Sequence, residues 1–250
     1  MYDRPETAGA NDRFWAGIRD GLRAMGIAAP DALTRGAEEL LSQWCDPDLV
    51  FSQTCGFPYR SRLHGRVVLV GTPDFGVDGC APGYYRSVFV VRADDPRQAL
   101  ADFDGRRFAY NDGLSQSGWA APQTHAAQLG LSLPPAIRTG GHRLSALAVA
   151  EGRADIAALD AVTWRMLRRW DPDALRLRML DSTAPTPGLP YIAGPAADAG
   201  RMFEIVDRAM SNMRAEDRAL LGLQGLVFIP PESYLAVPTP PSPEHFAARD

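Results

Sequence analysis

Arg107-Phe108-Ala109-Tyr110-Asn111-Asp112-Gly113-Leu114-Ser115-Gln116-Ser117-Gly118 decides the fold. A short apolar run with two aromatics reads as a buried strand, and Asn-Asp-Gly is the composition of a tight turn. The residues that follow, from about Ser117 to Leu129, carry helical spacing, so the stretch predicts strand, small polar turn, helix. Backbone N–H groups of a first helical turn have no intrahelical acceptor, and with the helix dipole they hold an oxyanion without a full positive charge. The hydroxyls of Ser115 and Ser117 add donors that rotate to suit.

The same build recurs on both sides. Leu49-Val50-Phe51 runs into Ser52-Gln53-Thr54-Cys55-Gly56, and Ala136-Ile137-Arg138 runs into Thr139-Gly140-Gly141-His142-Arg143-Leu144-Ser145. Each turn alone is also explained by ordinary N-capping through Ser or Thr. Three in one chain point to a converging anion site. A lone His at a helix start, such as His142, is more often a surface or capping residue than a ligand contact, and Asp160, after the apolar run Ile156–Leu159, reads as a cap or a ligand contact.

Further out, helices are predicted over Asn11–Met25, Ala37–Trp44, Val162–Trp170, Gly200–Met213 and Glu216–Leu223. Strands are predicted over Val67–Pro73, Ser87–Arg92, Asp155–Asp160, Leu175–Leu180 and Leu226–Ile229. Leu175–Leu180 alternates as a half-buried strand should. Trp15, Trp44, Trp164 and Trp170 fall on apolar helical faces, and from Pro238 the proline-rich tail reads as frayed or strapped along the surface. Alternating strands and helices argue for an α/β fold with helix-covered sheets, and 250 residues suffice for two compact lobes.

Composition excludes several classes. Apolar residues make up 46% and no run approaches a membrane span, while a net charge of −4 with scattered cations gives nucleic acid no footprint. Three cysteines and four dispersed histidines fit no metal pattern, so neither metal nor cofactor is expected. Residues 1–5 show no basic n-region and no apolar h-region. Either the protein is cytoplasmic, or a segment ahead of Tyr2 was removed or never included. No nucleophile elbow, P-loop, zinc-protease helix or dinucleotide fingerprint occurs, so no catalytic residues are assigned.

At these turns the chain resembles a known family. Asn111–Gly118 is similar to the phosphonate-binding loop of phosphate/phosphonate-type substrate-binding proteins of ABC importers. Ser52–Pro58, Gly79–Ser87, Thr139–Arg143 and Ala150–Asp160 extend the likeness over roughly residues 1 to 235. The resemblance implies a type II periplasmic-binding-protein fold, each lobe a mixed sheet flanked by helices, with two crossover strands. Lobe 1 would be residues 1–91 plus 190–250, and lobe 2 residues 92–189. It implies a monomeric receptor that hinges shut on a phosphonate- or phosphate-like ligand in the inter-lobe cleft and then docks on an importer permease. It also implies a periplasmic location.

The ligand set carried over is Tyr2, Thr54 and Tyr85 from lobe 1, with Asn111, Asp112, Ser115, Gln116, Ser117, Gly141, His142 and Asp160. Asp160 would favour a ligand bearing a positive or hydroxylated group. Gln116 stands where a small hydroxyl residue is common. Cys55 and Cys80 lie in matching segments, and a disulfide between them is expected in an oxidising compartment. An enzyme of lyase type and a ligand sensor are the alternatives on this fold, because one fold hosts many functions.

Overall fold

The structure is a computed structural model that describes residues 2–36 and 40–246. In chain order its elements begin with α1 (Ala8–Ala24), α2 (Leu40–Trp44), β1 (Ser52–Gln53) and the short α3 (Gly56–Pro58). β2 (Val68–Asp74), β3 (Tyr84–Tyr85), β4 (Ser87–Arg92) and β5 (Phe108–Tyr110) come next. A wide helical turn, Gln116–Ala120, runs straight into α4 (Ala121–Gln128). Then follow β6 (Pro135–Arg138), α5 (His142–Ala150), β7 (Ile156–Asp160), α6 (Ala161–Trp170), β8 (Leu177–Ser182), β9 (Thr186–Pro187) and β10 (Tyr191–Ala193). The chain closes with α7 (Ala199–Ser211), α8 (Ala215–Leu221), β11 (Gly225–Val227) and α9 (Pro231–Leu235).

The chain divides into two compact units. Unit 1 holds the residues up to Tyr84 together with Pro187–Tyr234, and unit 2 holds Tyr85–Thr186 and the tail from Leu235. These limits differ from those expected at 91/92 and 189/190. β4, which runs up to the expected 91/92 boundary, sits inside the unit 2 sheet between β7 and β8, and β10, just past the expected 189/190 boundary, sits inside the unit 1 sheet. The chain instead changes unit within β3 and β9, which pair as a two-stranded ribbon. The tail beyond Leu235 leaves unit 1 for unit 2.

The unit 1 sheet has the order β1-β10-β2-β11, every neighbouring pair antiparallel. Alternation along β2 and β10 covers both faces. Val70 and Ala193 pack with Phe14, Trp15, Ile18 and Leu22 of α1 and with Met202, Val206 and Met210 of α7. Leu69 and Ile192 face the other way, onto Trp44, Tyr59, Leu63 and Tyr234. Each such side chain, fully buried, stabilises by about 1.5–3 kcal/mol.

The unit 2 sheet has the order β6-β5-β7-β4-β8. β6, β5 and β7 run parallel and β4 runs antiparallel to β7, which makes the sheet mixed as expected. Val88, Val90, Ala157 and Leu159 pack on Ala146, Val149 and Ala150 of α5 and on Trp164 and Leu167 of α6.

Several expectations shift. α1 starts at Ala8, not at an Asn11 cap, because the buried Thr7 side chain accepts from the Arg4 amide and closes a turn ahead of it. The helix expected over Ala37–Trp44 is present from Leu40, and Ala37–Glu39 lie outside the described residues. β8 begins at Leu177, and Leu175 is 81% exposed before it. β8 is an edge strand with a register shift against β4, so its apolar alternation does not map onto one buried face. Trp170 is only half-buried. No disulfide joins Cys55 to Cys80, so the expected bridge is not formed.

Candidate functional site

The sequence's central turn and the start of α5 are brought together by the β5–β6 pairing. Beyond the strands the ladder continues: the Thr139 amide donates to the Tyr110 carbonyl (2.8 Å) and the Gly140 amide to the Asn111 carbonyl (2.9 Å). Gly140 then takes φ +84°, a left-handed conformation that glycine adopts without strain, and Gly141 leads into α5. Thr139 is occupied in holding this corner, with its hydroxyl against the Tyr110 and Gly141 carbonyls and the Ser145 hydroxyl.

The turn itself is self-braced. One carboxylate oxygen of Asp112 accepts from the Leu114 amide (2.8 Å), and the other pairs with Arg138, a partner that the sequence reading missed. Ser115 is an N-cap, its Oγ accepting from the Gly118 amide at 3.0 Å. Asp112 and Ser115 are therefore committed to shaping the turn.

Ser117 and His142 meet: Ser117 Oγ lies 2.9 Å from His142 Nε2. Burial pushes the His142 imidazole down to about 4, opposed weakly by the Ala158 carbonyl, so the ring is neutral at physiological pH. The residue as a whole is only half-buried, but its Nδ1 is enclosed. The Ser117 Oγ–His142 Nε2 contact carries one hydrogen, and the ring's tautomer decides which atom donates it. Asn111 is also enclosed, its Oδ1 without a partner, and a flip of the amide presents Nδ2 from the same place. Gly118 sits against both: a Cβ there would lie 1.8 Å from Asn111 Oδ1 and 3.2 Å from His142 Cε1. α5 has no side-chain cap at Gly141, so its first-turn amides are not taken by a capping side chain.

Asp160 is 2% exposed and caps α6, with Oδ1 accepting from the Thr163 amide at 2.9 Å. Its cross-strand partner is Ser87, whose buried Oγ has no partner. Ser87 opens an apolar strand and gave no signal in the sequence beyond that hydroxyl. Gln116 and Tyr85 are buried in unit 2.

In unit 1, Thr54 is fully buried with an unpartnered Oγ1, while Tyr2 packs edge-on to Phe75 at 4.8 Å. Tyr2 also lines a cavity of about 480 Å³ with Phe14, Trp15, Phe51 and Tyr191. That cavity holds none of the unit 2 donors. Among the described residues no cluster of His, Cys, Asp or Glu could hold a metal ion, and no helix is long and apolar enough to cross a membrane.

Residues 48–231 match the family model described as ABC transporter, phosphonate, periplasmic substrate-binding protein. The chain belongs to this family. No curated protein gives a significant match. Among solved structures, PhnD1 from Prochlorococcus marinus in complex with methylphosphonate is similar at 15% identity and a TM-score of 0.71, covering 90% of each chain. XAC2383 from Xanthomonas citri bound to chloride ion is 18% identical with a TM-score of 0.69, covering 92% of this chain and 90% of that one. A binding protein component of an ABC phosphonate transporter (PA3383) from Pseudomonas aeruginosa is 17% identical with a TM-score of 0.66, covering 88% and 77%. These likenesses place the fold with type II periplasmic binding proteins. Members of the phosphonate-binding family are substrate-binding proteins of ABC transporters, not enzymes, so a small-molecule ligand and permease partners follow for this chain.

Proposed function

We propose that Asn111, Ser117, Gly118 and His142, with the first-turn amides of α5, form the seat for the phosphonate or phosphate group of the ligand. The Ser117–His142 contact beside the enclosed Asn111 amide carries this reading. A buried polar atom without a partner costs about 1–3 kcal/mol, and the Asn111 amide, once flipped, presents an Nδ2 donor that a bound oxyanion satisfies. The Asp112–Arg138 pair is neutral overall and His142 is uncharged, so the seat works through neutral donors and helix ends. Asp160 and Ser87 would receive the ligand's other end, and the acid favours an ammonium or hydroxyl substituent over a bare alkyl group. Thr54, Tyr85, Gln116 and Tyr2 join the set on the family resemblance.

A thermal-shift screen tests this against phosphate, phosphite, alkylphosphonates, aminophosphonates, sulfonates and small carboxylates. A selective, concentration-dependent rise with the phosphorus oxyanions is expected. A flat response to all of them, or a rise with carboxylates alone, would overturn the assignment.

A further inference from the structure

The proline-rich tail is packed on the turn described above. Trp119, fully buried, lies one residue beyond Gly118, and its indole N–H donates to the Pro241 carbonyl at 3.0 Å. The Phe246 ring meets the Trp119 ring edge-on at 6.1 Å, on a stack that continues to Tyr110 and Phe108. Pro243 sits over Gly113, where a Cβ would lie 3.1 Å from the proline ring. Glu244 adds its field to the same place. The Tyr110 phenol is pushed up first by burial and next by the Glu244 carboxylate, and Arg138 feels Glu244 after its partner Asp112.

Two points of the turn's framework, Gly113 and Trp119, are thus touched by one segment, and a third, Tyr110, feels its charge. That segment is suited to bearing load. Prolines at 238, 240, 241 and 243 restrict φ, so little chain entropy is lost on docking. The Ser242 Oγ to His245 Nδ1 contact (2.9 Å) closes the turn that aims Phe246 inward.

We infer that Pro238–Phe246 is a positioning strap: it holds the Asn111–Ala120 segment in its ligand-accepting form, so that loss of the strap loosens the turn and weakens binding. The binding half of this statement rests on the oxyanion seat proposed above, whereas the loosening does not. By linkage, a ligand on the turn must in return tighten the strap.

Hydrogen exchange at residues 115–120 and titration with methylphosphonate and inorganic phosphate test it. The proteins compared are the full chain, a chain ending at Val237, and the full chain carrying Phe246→Ala or Trp119→Phe. Trp119→Phe keeps a ring but removes the donor to Pro241, and these milder variants decide if the shortened chain does not fold. Removing one buried hydrogen bond and its packing is expected to raise exchange at 115–120 about tenfold and weaken binding about tenfold. Exchange at Val70 and Ile192 in the unit 1 core should not change. Saturating methylphosphonate should slow exchange at residues 242–246 of the full chain.

Unchanged exchange at 115–120 in every variant overturns the strap. Faster exchange with full affinity overturns its role in binding while leaving the oxyanion seat intact. If neither probe binds the full chain, the oxyanion reading fails, and the exchange at 115–120 still decides whether the strap positions the turn.

Discussion

His142 couples the seat to pH. Its ring is held neutral by burial, with the folded value near 4 against an ordinary 6.5. In the unfolded chain the ring takes a proton as pH falls through 6.5, while the folded ring refuses it until about 4. The unfolded state therefore binds more protons in that window, and stability is lost as pH falls from 6.5 to 4, then levels off. The loss is bounded at roughly 3 kcal/mol. Urea unfolding at a series of pH values should show it in the native chain and not in His142→Gln, and an equal slope in both would remove His142 as its source. Ser117→Ala combined with His142→Ala should weaken phosphonate binding while the melting temperature of the unligated protein stays nearly constant, since the hydrogen bond that joins the two side chains is removed from both ends at once. A large loss of unligated stability would instead make the pair structural. Ser115→Ala is the contrasting case. It removes the acceptor for the Gly118 amide and should cost about 1 kcal/mol of stability, read from the denaturation midpoint. A midpoint equal to that of the native chain would deny the cap.

At the level of elements, strands and helices were legible where one periodicity dominated. β4 was read with its bounds unaltered, and β7 and α6 lay within a residue of expectation, because an unbroken apolar run or a clean helical stripe leaves little choice. Legibility failed where a neighbour decides. The exposure of Met179 follows from β8 being an edge strand with a register shift, which no local pattern reports, and Leu175 is exposed ahead of the strand, in the helical turn Pro172–Arg176. Asp112 carried the composition of a ligand contact, but its occupation by Leu114 and Arg138 depends on β6 lying beside β5. Ser87 was passed over because its relevance arises only across the sheet from Asp160. The two glycines Gly83 and Gly188 show the same dependence. The Gly188 amide donates to the Gly83 carbonyl, and a Cβ on Gly188 would lie 2.5 Å from that oxygen, a backbone atom that cannot rotate away, and 3.3 Å from Thr72 Cγ2. Gly188→Ala should therefore cost about 2 kcal/mol or more and lower the melting temperature, although alanine is the smallest possible change. A melting temperature within a degree or so of the native value would mean that the backbone there relaxes freely.

For the whole molecule, the two units each own a complete sheet and a separate apolar core, so each has the means to be stable by itself. The chain nevertheless passes between them at three places: within β3, within β9, and after Tyr234. This connectivity makes the distribution of ligand stabilisation a direct test of which residues bind. A ligand held by unit 2 donors alone, Asn111, Ser117 and His142, raises the opening free energy of unit 2 only. A ligand that also engages Thr54 of unit 1 must raise both. At one hundred times the dissociation constant the rise is about 2.7 kcal/mol, close to a hundredfold slowing of exchange for amides that open by unfolding of their unit. Core amides of Phe89 and Ala157 report on unit 2, and those of Val70 and Ile192 on unit 1. With methylphosphonate or phosphate bound, slowing in both sets is the expected outcome if Thr54 or Tyr2 belongs to the ligand set with the unit 2 donors. Slowing confined to Phe89 and Ala157 would keep the oxyanion seat and remove Thr54 and Tyr2 from the ligand set.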